Sequence, residues 1–391
     1  MTDYNVGDLV AEFLHLNGVE NVFGVVSVHN IPMLDAIGRR NFIRMIPARG
    51  EMGAGHMADG YARSVNGLGV VFTSTGPGAA NAAGSIVEAR FAGSPVIHFT
   101  GQTATSNLDK NQGTVHDVPN QLGMLQSISK KAIRINSAEE ALTKLKDAVK
   151  TALTAPMGPV SVEIPIDIQR TNIKRPSDLD QITLPTINLE IGDISSIDEM
   201  EAIILSSKRK ILWVGNGGKY ATNEVKQFVD MGFVVVTSTQ GRGVIFEENK
   251  MCLGAFNAVP LIEDFYKSLD LMIVVGSRLR GHETRDMSLQ LPKNIIQIDI
   301  DSDAKNRTYN TNHFHCGDAN KVLNELISRL SGKLNLEEQW VSEVGDLKNR
   351  IINEYKDTLG AYKNFPEIVR KVLPKNGRWA VSYTHLTLPT T

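Results

Sequence analysis

Cysteine is nearly absent: Cys252 and Cys316 are the two thiols in 391 residues. Two cysteines so far apart exclude a disulfide-stapled scaffold and point to a reducing compartment, which we take as the cytoplasm. An excess of either charge is also lacking. Lys and Arg number 41 and Asp and Glu 43, a net charge of −2, so no basic field exists to attract nucleic acid or anionic lipid. No apolar run approaches the ~20 residues of a membrane span. The polar, acidic start Met1-Thr2-Asp3-Tyr4-Asn5 does not read as a signal peptide. Internal repeats and low-complexity segments are missing too. What remains is an ordinary globular composition, 42% hydrophobic and 21% charged, at a length that suits two or three domains.

Along residues 1–170, helical and strand signals alternate. Val10, Phe13, Leu14 and Leu16 form a helical stripe that Asn17-Gly18 stops, and Ile31 to Ile37 is helical again. Val22 to Val26, Val70 to Thr73, Pro95 to Phe99 and Val160 to Ile164 are near-continuous apolar strands, and Ala79 to Ala89 reads as a helix. Such runs separated by helices imply a parallel sheet covered on both faces. Residues 171–193, rich in Pro, Asp and Asn without period, read as a linker. A second α/β unit is expected over 194–335, with strands at Ile211 to Val214, Phe233 to Val236, Leu271 to Val275 and Ile295 to Ile298 and a closing helix at Val322 to Leu330. Residues 336–381 are largely charged and helical, and 382–391 look foreign to the rest. The expected fold class is therefore α/β, with two doubly wound parallel-sheet domains.

Two segments carry the chemistry. Glu51 opens a small-residue helix, Met52 to Arg63, whose Ala54, Gly55 and Ala58 let another backbone approach closely. Asp59 and Arg63, four apart, are expected to pair on its outer face. An acid in a helix's first turn complements the macrodipole by about 0.3–1 kcal/mol, and position alone favours that structural role. The second segment is Thr75-Gly76-Pro77-Gly78, between a strand and a helix. Glycines there let a backbone touch a ligand, and the helix start offers amide donors, although any strand-to-helix corner can use such a turn.

Together these segments resemble the pyrimidine-binding domain of thiamine-diphosphate-dependent enzymes, the superfamily of acetolactate synthases and 2-oxoacid decarboxylases. The resemblance rests on Gly50-Glu51, on Met57-Ala58-Asp59-Gly60-Tyr61-Ala62-Arg63, on Gly76-Pro77-Gly78-Ala79 with Asn81, and on Pro95 to Gln102. It continues through Gly215-Asn216-Gly217-Gly218, Thr239-Gln240-Gly241-Arg242-Gly243, Val275-Gly276-Ser277-Arg278, Ile298-Asp299-Ile300-Asp301 and Gly317-Asp318, covering about Val6 to Val381. It implies a pyrimidine-binding domain followed by a central Rossmann-like domain. It also implies that Glu51 is the glutamate that hydrogen-bonds the cofactor's aminopyrimidine N1′, and that Val26, Ser74, Gly76, Pro77 and Asn81 line the cofactor. A protonated Glu51 would need a dry pocket. Where the family commonly has Pro-Gly, this chain has Val26-Ser27, so the loop Ser27-Val28-His29 is expected to shape a different substrate mouth.

His116 falls where acetolactate synthases carry Phe-Gln-Glu, and a histidine there resembles the decarboxylase branch. It is a candidate proton donor or positioning group; a solvated loop histidine is the other reading. By resemblance, a central domain of this kind holds FAD in synthases and pyruvate oxidases. That would place Gly215, Gly217, Thr239, Gly276, Arg278 and Asp299 near a flavin, although Leu279 to Thr284 departs from the synthase pattern. His313 and His315 invite a metal reading, but no fourth ligand with suitable spacing accompanies them, and a structural strand or loop is favoured.

The family anchors the diphosphate and Mg²⁺ through a Gly-Asp-Gly motif on a C-terminal domain, and that motif is missing here. The resemblance implies a site shared between the subunits of a homodimer or homotetramer, so these 391 residues should hold half a site and be inactive alone. The expected activity is acetolactate-synthase-like: decarboxylation of a 2-oxo acid and transfer of the acyl unit to a second carbonyl. A simple 2-oxoacid decarboxylase and a non-catalytic nucleotide-binding homologue are the alternatives.

Overall fold

A computed structural model describes residues 4–110, 112–181 and 189–374. The middle of the expected linker, 182–188, and the expected foreign tail, 382–391, lie outside the described residues. The chain divides into two compact units, Met1–Asn188 and Leu189–Thr391. Among the described residues no helix is long and apolar enough to cross a membrane.

In the first unit six strands form one parallel sheet: β1 (Asn21–Gly24), β2 (Arg44–Pro47), β3 (Gly69–Thr73), β4 (Val96–Gln102), β5 (Lys131–Arg134) and β6 (Val160–Pro165). Their spatial order is β2-β1-β3-β4-β6-β5. Strands β3, β4 and β6 are buried along their whole length, because helices cover both faces. Alternation along β3 shows this directly. Val70 and Phe72 pack with Ile97, Phe99 and the helix Val6–Leu16, whereas Val71 packs with Ala54, Ala58 and Ile86 on the opposite face. The second unit repeats the plan with five parallel strands, β7 (Lys210–Val214), β8 (Val234–Thr237), β9 (Leu271–Val275), β10 (Ile295–Asp299) and β11 (His313–Cys316), in the order β11-β10-β9-β7-β8. Both sheets are doubly wound α/β layers, as the sequence implies.

Each sheet reverses its winding direction after its second strand, and the first sheet reverses again from β5 back to β6. The chain steps from β1 outward to β2 and then back across to β3; likewise from β7 to β8 and back to β9. Loops after β1 and β3, and after β7 and β9, therefore splay apart at the carboxyl ends of the strands. Open α/β sheets bind ligands at that crevice. Glu51's helix and the Gly76 turn sit at the first of these points.

Three local expectations differ from the structure. The single helix expected over 79–89 is two, Pro77–Asn81 and Ala83–Ala92. Asp59 and Arg63 do pair, through two hydrogen bonds of 2.9 and 2.5 Å, but Asp59 is buried, not on an outer face. The Ala83–Ala92 helix lies against that side: adding a Cβ to Gly55 would place it 1.9 Å from Ser85 Oγ. Strands β2 and β5 were not expected, because these edge strands are only partly covered and lack a continuous apolar run.

One polar group inside the first sheet sets a pH dependence. His98 on β4 is fully buried, with Nε2 2.9 Å from Thr73 Oγ1 and Nδ1 3.0 Å from Ser161 Oγ. Burial lowers its pKa from 6.5 to about 4. The unfolded chain then binds the extra proton between those values and the folded chain does not. Stability is complete above pH 6.5 and declines as pH falls toward 4, with about 2 kcal/mol lost by pH 5 from this group alone. Urea midpoints of wild type and His98→Gln at pH 7 and pH 5 check this. The variant should lose that part of the acid slope.

Candidate functional site

Glu51 is the first residue of the helix Glu51–Val65, entered from an extended Gly50. Its carboxylate Oε2 accepts a hydrogen bond from Asn81 Nδ2 at 3.2 Å. The other oxygen, Oε1, lies 3.0 Å from the position a Cβ on Gly78 would occupy. Gly78 thus keeps the turn close to the carboxylate without covering it. The carboxyl group is half-buried, so these residues alone do not complete the dry pocket expected around it.

The turn Ser74–Gly78 is built for close approach. Gly76 has φ +53°, and a Cβ there would meet the His116 carbonyl oxygen at 2.1 Å. The loop carrying His116 therefore lies directly on the turn, and His116 itself has φ +65° and an exposed side chain. Ser74 Oγ is 2.6 Å from Ser27 Oγ, which ties the loop after β1 to the loop after β3. Val26 and Pro77 are exposed beside this junction. The structure thus brings Val26, Glu51, Ser74, Gly76, Pro77, Asn81 and His116 to one end of one sheet.

Behind the turn is a buried polar network that the sequence did not reveal. Gln121 Oε1 accepts from Gly76 N–H at 2.5 Å and from Thr75 Oγ1 at 2.9 Å. Its Nε2 donates to Gly101 O and to Glu163 Oε2, each at 3.2 Å. Glu163, fully buried on β6, also accepts from Arg134 Nε at 2.6 Å and Gln102 Nε2 at 3.3 Å. The available signal was a glutamate in the middle of an apolar strand, since such a charge is buried only when partnered.

In the second unit, Gly215 and Gly276 end β7 and β9 at the corresponding crevice. Their amides are already spent. Gly215 N–H donates to Val275 O at 2.8 Å, Gly217 N–H to Gly276 O at 2.9 Å, Gly276 N–H to Ile298 O at 2.8 Å, and Thr239 N–H to Glu283 Oε1 at 2.9 Å. A Cβ on Gly215 would stand 2.3 Å from Gly276 O, so the two turns close on each other. Arg278 follows in the same loop, and Asp299, largely buried at the end of β10, has its pKa raised by that burial. His313 and His315 lie on β11. His315 places Nδ1 3.0 Å from Ser196 Oγ and Nε2 2.6 Å from Ile191 O; His313 Nε2 is 2.8 Å from the same Ser196 Oγ. Among the described residues no three His, Cys, Asp or Glu side chains converge on a metal position.

Two family models match the chain. One is described as thiamine pyrophosphate enzyme, N-terminal TPP binding domain, over residues 4–124, and the other as thiamine pyrophosphate enzyme, central domain, over residues 197–326. The chain belongs to the thiamine pyrophosphate enzyme family. Among curated proteins it is 29% identical to an acetolactate synthase large subunit of Haemophilus influenzae, over 91% of this chain and 64% of that protein. It is 26% identical to the mitochondrial acetolactate synthase catalytic subunit of Saccharomyces cerevisiae, over 94% of this chain and 56% of that protein. A Corynebacterium glutamicum acetolactate synthase large subunit is 28% identical over 87% of this chain and 55% of its own length. The chain thus spans somewhat over half the length of these relatives.

A cavity of about 510 Å³ opens in the second unit, lined by Leu253, Phe256, Ile351, Tyr355, Leu359 and Lys348. It contains none of the residues gathered around Glu51. Its exposed lining is largely apolar, with Glu247, Glu248, Lys348, Lys356, Lys363 and Glu367 around it, and it lies in the other unit from the residues gathered at the first sheet's crevice, so the Glu51 crevice is the candidate site.

Proposed function

We propose that this chain supplies the cofactor-activating part of a thiamine-diphosphate-dependent, acetolactate-synthase-like enzyme, which decarboxylates a 2-oxo acid and passes the acyl unit to a second carbonyl. The observation that carries this reading is the Glu51 carboxylate, held by Asn81 at 3.2 Å and left open by Gly78, at the crevice of a sheet in this family. These residues fit an aminopyrimidine. A carboxyl group stands where one ring nitrogen needs a donor, a side chain at Gly78 would crowd Oε1, and Val26 offers apolar surface beside it. When bound, thiamine diphosphate supplies an acidic thiazolium carbon that adds to the 2-oxo carbonyl and takes up the electrons of decarboxylation.

The role of this chain is narrower. Glu51 holds a proton at the pyrimidine N1′, and Asn81 keeps the carboxyl group in place. The Gln121–Glu163 network fixes the backbone of the turn, and His116 borders the substrate mouth. We assign Mg²⁺ and the diphosphate to no described residue. The flavin reading fits poorly: the amides of Gly215, Gly217, Gly276 and Thr239 already have partners, so they leave no cradle for a flavin's phosphates, and no step is routed through one. Assembly as a homodimer or homotetramer is part of the proposal. Met52 and Met57 are exposed on Glu51's helix, and Val87 and Phe91 on its neighbour, an apolar face that a second copy would cover.

Pyruvate turnover by the full-length protein with thiamine diphosphate and Mg²⁺ tests the reaction. Acetolactate as the main product is expected. Acetaldehyde alone would favour simple decarboxylation, which His116 at the turn supports as the second reading. No consumption of any short 2-oxo acid would refute both.

A further inference from the structure

We propose that His29 and His116 form a histidine dyad at the mouth of the Glu51 site, in which the His29 imidazole donates a hydrogen bond to the carboxylate of a short 2-oxo acid. The proposal rests on the cofactor reading above and deepens it by adding a substrate-binding residue.

The backbone at His29 is fixed. Its carbonyl oxygen accepts from Gln169 Nε2 at 2.7 Å. The same oxygen lies 2.1 Å from where a Cβ on Gly101 would stand, so β4 must carry glycine there. Its N–H donates to Ser27 Oγ at 3.3 Å, and that hydroxyl is 2.6 Å from Ser74 Oγ on the cofactor turn. The backbone and Cβ of His29 are thus held at the crevice, with the imidazole projecting from it. Its ring centroid is 5.9 Å from that of His116, whose backbone lies against Gly76. One small anion can reach both rings.

The hydrogen-bond inventory of His29 points to a missing acceptor. Nδ1 is buried, although the residue as a whole is only half-buried, and it has no partner, unlike the ring nitrogens of the buried histidines His98 and His315. A proton on Nδ1 would be buried without an acceptor, which is unfavourable. The neutral ring therefore carries its proton on Nε2, and among the described residues nothing accepts from it. Burial, with His116 nearby, lowers the His29 pKa, and among the described residues no carboxylate offsets this. The result is a neutral N–H donor with no acceptor among the described residues. A third ligand that would make the pair a metal site is absent among the described residues.

The test uses the full-length protein loaded with thiamine diphosphate and Mg²⁺, with His29→Phe to keep bulk without a donor and His29→Gln to restore one. Oxamate, an unreactive isostere of a 2-oxo acid, reports binding without turnover. In His29→Phe its Kd should rise about tenfold or more, and the KM for pyruvate should rise with it. His29→Gln should recover part of both. Proton exchange at the cofactor's thiazolium C2 without substrate should stay at the wild-type rate in both variants, since Glu51 is untouched. An unchanged oxamate Kd in His29→Phe, with normal C2 exchange, overturns the dyad and leaves the cofactor reading standing. Absence of accelerated C2 exchange in the wild type overturns the cofactor reading instead, and oxamate binding still decides the dyad as an anion site.

Discussion

In the full-length protein, Glu51→Gln should slow hydrogen–deuterium exchange at the thiazolium C2 by about two to four orders of magnitude while leaving the fold intact. The two effects separate because Glu51 carries little structural weight. It is half-buried, it has one side-chain hydrogen bond, and that bond is from Asn81 at 3.2 Å. A glutamine can still accept from Asn81 through its amide oxygen. The remaining loss is a charge in a helix's first turn, worth about 0.3–1 kcal/mol. A glutamine cannot, however, exchange a proton with a ring nitrogen, so the chemical loss is far larger than the structural one. Exchange followed by NMR beside a thermal melt distinguishes the two. Wild-type exchange in the variant would remove Glu51 from the mechanism. A collapse of thermal stability would return it to the role of a helix-start acid.

What could be read from the sequence follows a physical divide. Strand β3 was legible because both its faces are buried, so Val70, Val71 and Phe72 run apolar without interruption. Strands β2 and β5 were not, because edge strands with exposed positions dilute that signal. Gly76 was legible as a close-approach position because Gly-Pro-Gly stands between a strand and a helix, and its φ of +53° is a conformation that glycine adopts without strain. Asp59 was misplaced by helical periodicity, which cannot know that a second helix will cover that side. The Gln121–Glu163 network and the His29–His116 pair were illegible for another reason. Their members come from separate strands and loops, so although Glu163 in its apolar strand and His116 in its loop stand out singly, nothing local names their partners. Only the winding of the sheet, with its crevice between β1 and β3, brings them to one place.

The second large effect concerns that network. Arg134→Met should destabilise the first unit by about 3–5 kcal/mol, because it leaves the Glu163 carboxylate buried without a counter-charge. Glu163 is wholly inaccessible, and Arg134 Nε, at 2.6 Å, is its cationic partner; the other donors are the neutral amides of Gln102 and Gln121 at 3.3 and 3.2 Å. Two amides do not replace a guanidinium in a dry interior. Removing the charge as well should reverse part of the loss. Arg134→Met with Glu163→Gln removes the uncompensated charge, and the one amide oxygen at 163 can still accept from Gln121, so its stability should exceed that of Arg134→Met alone, a non-additivity that urea denaturation of the double-mutant cycle reads directly. A simple sum of the two single losses would show that the pair is not coupled. The same cycle reaches the site. Gln121 presents Oε1 to Gly76 and Thr75 while its Nε2 is held by Gly101 O and by Glu163. In the single Arg134→Met variant the turn at Gly76 should therefore loosen, so thiamine diphosphate affinity should fall together with stability and recover with it in the double variant.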